Sequence, residues 1–284
     1  MSLATNAAQL PTIRLSATIA DAAANTVVRP DGSLAVLPGQ GGVAVGDWFA
    51  GPAGGWVSDH LEPHASLGCA DPAAQAALQA LACVGNSVTV RSGPAVGAFG
   101  VVYGKHGHVL AAFAPSVADR LQPGDTVTVD AVGTALAIES APSVTVLSCS
   151  PGLLETLVSL TGDGRVRVGV ALTLPAVAAE AGLGMPGHSF NIDLEAKYGP
   201  WAPALNALRF GAVVALEGAD HRFGRSVRAG GLAIGCLVHG TSAGGGHGIG
   251  MVTLLNGPTE AFDLVDDPGA AIQDLIPWPK EVSP

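Results

Sequence analysis

Glycine and proline break this chain so often that it can hold little except short strands. With 39 glycines and 20 prolines among 284 residues, most apolar runs last about five to eight residues, the length of a strand. The runs predict strands at Ile13–Ile19, 88–91, 100–103, 109–113, Thr126–Ala131, 144–147, 166–174, 212–216, 232–238 and 249–254. Helix starts are fewer and sharper. Asp71 followed by Pro72 reads as an N-cap and first helical residue for 73–83, and Ser150 with Pro151 does the same for 153–160. Segments 115–121 and 175–181 are shorter helix candidates.

Helix and strand alternate irregularly, without a β-α rhythm and without a strand-associated G-x-G-x-x-G, so no nucleotide cofactor is expected, nor any other. The expected fold is α+β and β-rich. An N-terminal portion, 1–148, carries an SH3-like small barrel at about 86–140, and a mixed α/β C-terminal portion spans 149–284. The barrel is read from VTVRSGPAVGAFGVVYGKHGHVLAAF at 88–113, where short strands are parted by Gly93, Gly97, Gly100, Gly104 and Gly107. The same stretch is similar to the KOW pattern of RNA-associated barrels, but Arg91 and Lys105 are its only full cations, too few to neutralise a phosphate backbone.

Charge narrows the partners further. Thirteen basic against 23 acidic residues leave a net charge of −10, which favours small molecules over nucleic acid. A mean hydropathy of +0.42 and the absence of Asp, Glu, Lys and Arg between Arg228 and Glu260 invite a membrane reading. The glycines of that stretch suit strands and tight turns instead of a spanning helix, so no membrane is expected. Residues 1–18 lack the basic start and apolar stretch of a secretory signal, which implies a cytoplasmic address. Cys69, Cys83, Cys149 and Cys236 show no C-x-x-C pair and read as reduced thiols.

In a chain only 13% charged, three polar clusters stand out. The first is WVSDHLEPH at 56–64, where Asp59, His60 and Glu62 are candidate acid-base residues. An extended backbone would send His60, Glu62 and His64 to one face, and the alternative is a solvated polar loop. The second is ADHRFGRSVR at 219–228, where His221, Arg222 and Arg225 could grip an anion or pair internally with Asp220 or Glu217. The third is VHGTSAGGGHGIG at 238–250, in which His239, Gly245, Gly246 and His247 could form an anion-binding turn or a plain tight connection. Smaller signals are Lys105 beside His106, with Lys105 a candidate anion ligand, and His188, Asn191 and Asp193 in an expected loop. Neither of these smaller signals reproduces a nucleophile elbow or an H-E-x-x-H helix. Metal-assisted hydrolysis, with His60, His64, His188 and His239 as ligands, stays open beside a metal-free site.

The order LPGQGG (37–42), SDHLEP (58–63), CVGN (83–86), GKHG (104–107), LRFGAVVAL and DHRFGRS (208–226), and IGCLVHG with GHGIG (234–250) resembles the family of domain of unknown function 4438, from about residue 29 to 267. Ser58 stands where that pattern has glycine, and 185–193 matches poorly. Within the family the chain looks like the aziridine-forming proteins of azinomycin- and vazabitide-type antibiotic biosynthesis. That resemblance implies a lyase-type enzyme that expels sulfate from an amino-sulfate substrate while the amine closes a three-membered ring. It also implies a homologous partner subunit, in a heterodimer or homodimer, so a non-catalytic supporting subunit is the alternative. Asp59 and Glu62, oriented by His60, would take the amine proton. Arg222, Arg225 and the glycine turn would hold the sulfate.

Overall fold

The computed structural model describes residues 3–23, 25–28, 30–37, 41–49, 51–55, 61–179, 191–241 and 248–276. Six strands close a small antiparallel barrel: β1 (Ile13–Ile19), β2 (His64–Gly68), β3 (Ser87–Val90), β4 (Phe99–His106), β5 (His108–Phe113) and β6 (Thr126–Ala131). Their order is β1-β6-β3-β4-β5-β2, and pairing of Thr18 with Gly68 and of Ile19 with Leu67 joins β2 back to β1. The barrel therefore extends beyond 86–140: its closing strands come from far earlier in the chain.

Alternation explains how the barrel is filled. Val102, Val109, Ala111 and Phe113 point inward with Ile19, Leu67, Val88, Val127 and Val129, and helix α1 (Pro72–Leu81) plugs this core with Leu78. Asp71 caps α1, its carboxylate accepting the Ala74 N–H at 2.8 Å, with Pro72 in the first turn as expected. The opposite faces of β4 and β5 present Val101, Tyr103, Leu110 and Ala112 to the second half of the molecule, so both strands are buried on both sides.

That second half is built on a mixed sheet of β7 (Thr145–Val146), β8 (Leu172–Pro175), β9 (Asn191–Leu194), β10 (Val213–Asp220), β11 (Ser226–His239) and β12 (Ile249–Pro258). Its order is β7-β12-β11-β10-β8, with β9 sharing the free edge of β12. Only β8 and β10 run parallel. A smaller sheet joins Val158–Leu160, Val166–Val170 and Phe262–Asp266, so the expected strand 166–174 is two strands in two sheets, and the helix expected at 153–160 ends at Leu157. The uncharged stretch between Arg228 and Glu260 contributes most of β11 and β12; among the described residues no helix is long and apolar enough to cross a membrane. One core cluster runs continuously from Phe49 and Tyr103 to Phe210 and the β10–β12 side chains.

Candidate functional site

Where β4 crosses β11, β4 is bared by glycine. Gly104 sits at a bulge in the β4–β5 ladder, and a Cβ there would lie 2.5 Å from the Val238 side chain, so only glycine lets the strands approach so closely. One step past this contact, His106 of β4 stacks on His239 of β11, ring centroids 4.1 Å apart and 28° from parallel. Each sheet donates one ring.

A second glycine aims the His239 ring. Across the sheet, Asp193 of β9 is opposite Gly250 of β12, which is opposite His239. A Cβ on Gly250 would fall 2.1 Å from the imidazole, and without it the ring lies over β12 toward β9. His239 Nε2 is then 2.9 Å from Asn191 Nδ2 and 3.2 Å from Asp193 Oδ1, while Nδ1 is 2.9 Å from the Gly240 carbonyl. In the neutral ring, Nδ1–H donates to Gly240 and Nε2 accepts from Asn191. A proton taken at Nε2 finds the Asp193 carboxylate facing it.

The other ring is held by Glu62. Its Oε1 lies 2.5 Å from His106 Nδ1, and its Oε2 accepts the Ser66 hydroxyl at 2.8 Å. Both side chains of the pair are 8% exposed. A carboxylate on Nδ1 favours the tautomer with the proton there, so that Nε2 carries the lone pair. Two contacts pin the backbone on either side of Glu62: the Tyr103 hydroxyl donates to the Pro63 carbonyl at 2.8 Å, and Gly240 N–H donates to the Leu61 carbonyl at 2.9 Å. The first and third sequence clusters thus meet.

Not every expected member joins. Asp59, His60, Gly245, Gly246, His247 and His188 lie outside the described residues. His64 does not share a face with Glu62, because its φ of +59° breaks the extended run. Its Nε2 is 3.1 Å from the Gly46 carbonyl and its Nδ1 accepts the Phe113 N–H at 3.0 Å, so both nitrogens are spent on backbone and the ring is a poor metal ligand. Burial lowers its pKa. Among the described residues no three His, Cys, Asp or Glu side chains are grouped to hold a metal ion.

Lys105 points the other way from β4, fully buried, with Nζ donating to the Ser148 hydroxyl at 3.3 Å. Burial pushes its pKa down to about 8. Cys83, Cys149 and Cys236 are buried as free thiols, and burial pushes Cys236 up to about 12, which makes it inert.

The arginine cluster is elsewhere. Asn256 is opposite Ala233 and Gly250 opposite His239, which puts these two positions along β11 roughly 20 Å apart. Asp220, His221 and Arg222 gather at the Asn256 end: Asn256 Oδ1 accepts the His221 N–H at 2.8 Å, and Arg222 forks onto the Asp220 carboxylate at 2.9 and 2.6 Å. Arg225 donates to the Ala179 carbonyl. The His221 ring is buried with Nδ1 2.9 Å from the Thr253 hydroxyl, and burial lowers its pKa to about 4. The anion grip expected from Arg222 and Arg225 is therefore not beside Glu62.

Asn191 and Asp193 were expected in a loop, yet they occupy strand β9, where Ile192 and Leu194 alternate with them toward the core. The pattern N-I-D-L carried that signal. Nothing local marks His106 as the partner of His239.

Residues 27–155 match the family described as domain of unknown function (DUF4438), N-terminal, and residues 156–276 match its C-terminal counterpart. The fold is similar to that in the crystal structure of TM1086, with a TM-score of 0.88 and 30% identity over 97% of this chain and 100% of that one. No curated protein matches the chain.

Proposed function

The chain belongs to the domain of unknown function 4438 family, and we propose that in this member the Glu62–His106–His239 constellation is the acid-base centre of an enzyme acting on a small amine. The observation that carries this reading is the buried 2.5 Å contact between Glu62 and His106, continued by the stack onto His239. A carboxylate, an oriented imidazole and a second ring facing Asp193 form a chain able to take a proton and pass its charge away from the reacting atoms.

The reaction proposed is ring closure with sulfate elimination. His106 Nε2 takes one proton from the substrate ammonium, the freed nitrogen lone pair forms the new C–N bond, and the C–O bond to sulfate breaks as sulfate departs. Glu62 steadies the imidazolium that results. Sulfate is a good leaving group, so positioning and deprotonation are the main demands on the protein. Donors for the departing anion are assigned to Gly245, Gly246 and His247, since the described cations lie elsewhere. Asp59 and His60, next to the pinned Leu61, complete the proposed base segment. A homologous subunit is the proposed partner.

The test is sulfate release from an amino-sulfate substrate, assayed with this chain alone and with its homologous partner, with the aziridine identified by mass spectrometry. Glu62→Gln and His106→Asn are each expected to lower turnover by about 10²–10⁴-fold while substrate binding changes little. Absence of sulfate release from both preparations, or full turnover in both variants, removes the proposal.

A further inference from the structure

At the far end of β11 lies a cleft of about 430 Å³, within the roughly 300–1,000 Å³ range of small-ligand sites, walled by Ser143, Asp220, Arg222, Arg228, Asn256 and Glu260. Its backbone walls are glycines and small residues at 229–231 and 257. Gly230, at φ +73°, has nothing within 4 Å of where a Cβ would stand, so this wall opens onto free space.

The cleft holds an ion-paired cluster and, apart from it, a carboxylate. Asp220 is buried, and two arginines share its carboxylate: Arg222 through Nε and NH2, and Arg228 through NH1 at 3.0 Å. Those bonds hold the Asp220 carboxyl far below the usual carboxylate range. The trio carries a net charge of +1, and each guanidinium keeps N–H groups with no other partner among the described residues. Asn256 is spent on the wall, donating to the carbonyls of Ala219 and Leu232 and accepting the His221 N–H. The Ser143 hydroxyl and the Glu260 carboxylate, by contrast, have no hydrogen bond or ion pair among the described residues. Here the trio and Glu260 face one space without touching.

We infer that this cleft binds a small zwitterion, its anionic end on the Arg222–Arg228 pair and its ammonium on Glu260, with Ser143 as a further hydrogen-bond partner. Guanidiniums already fixed by Asp220 lose little side-chain freedom when they receive an anion, which favours a carboxylate, sulfonate or sulfate group. The site does not depend on the chemistry proposed at Glu62.

Isothermal titration calorimetry of the full chain with taurine, β-alanine and 4-aminobutyrate tests it, with sodium sulfate and ethylamine as half-ligands. At least one zwitterion is expected to bind more tightly than either half. Arg228→Ala is expected to weaken that binding by about tenfold or more. Glu260→Gln is expected to reduce it to the level of sulfate. Both residues are exposed, so unchanged thermal melting confirms that the variants fold, and Glu62→Gln is expected to leave the titration as it is. No heat from any of the three zwitterions, sulfate binding as well as they do, or binding indifferent to both cleft substitutions overturns the inference.

Discussion

Lys105 shows how much a single side chain can be made to bear in this fold. Its ammonium is wholly buried, and burial takes its pKa from 10.5 to about 8. Below pH 8 the lysine is charged in the folded and unfolded states alike, and the folded state carries the full penalty. Between about 8 and 10.5 the folded protein releases the proton before the unfolded chain does, so stability rises with pH through that window. The shift corresponds to about 3 kcal/mol. Lys105→Met is therefore expected to stabilise the protein by up to about 3 kcal/mol at pH 7, with the gain dwindling toward zero near pH 10, as read by urea denaturation at both pH values. A gain of the same size at both would show that burial of the charge is not its cause. At this scale the sequence was legible in part. Glu62, His239 and Lys105 stood out as polar residues in an apolar chain, but what each would touch depended on residues far along it, 44 positions for Glu62 with His106 and 43 for Lys105 with Ser148.

Strands carry the site, and glycines set how the strands meet. Gly104→Ala would drive a methyl into Val238 at the crossing of β4 and β11. A cost of about 1–3 kcal/mol is expected by chemical denaturation, accompanied by loss of the His106–His239 stack, visible as altered imidazole resonances. A fully stable Gly104→Ala variant would mean that the crossing has slack. Most strands could be read from apolar runs between glycines, and the caps at Asp71 and Ser150 could be read from hydrogen-bonding chemistry that is local in sequence. His64–Gly68 escaped because all five of its residues are buried, which removes the alternation that marks a strand, and because it contains histidine and glycine. Barrel closure escaped for another reason: β1 was recognised as a strand, but pairing across some fifty residues leaves no trace in local periodicity.

At the level of the whole molecule, one hydrophobic core joins barrel and sheet, with Val101, Tyr103 and Leu110 packed among the same cluster as Ile234, Leu237 and Met251. Barrel and sheet are accordingly expected to unfold together. Urea transitions followed by Trp48 fluorescence and by Trp201 fluorescence, in variants that keep one tryptophan each, are expected to share a midpoint. Two separated midpoints would show that the halves are independent. The meeting of the first and third polar clusters belongs to this scale too. Sequence alone could name the clusters, but which two of the three would meet is a property of the β4–β11 crossing.

That crossing has a consequence for how the molecule can fail. Side chains alternate along a strand, so a slip of one residue in either β4 or β11 turns its histidine to the opposite face. The stacked pair therefore exists only when both sheets are in register at once. A molecule misassembled in either half has its two imidazoles apart, so correct pairing in the barrel and in the sheet can be read together from one ring contact.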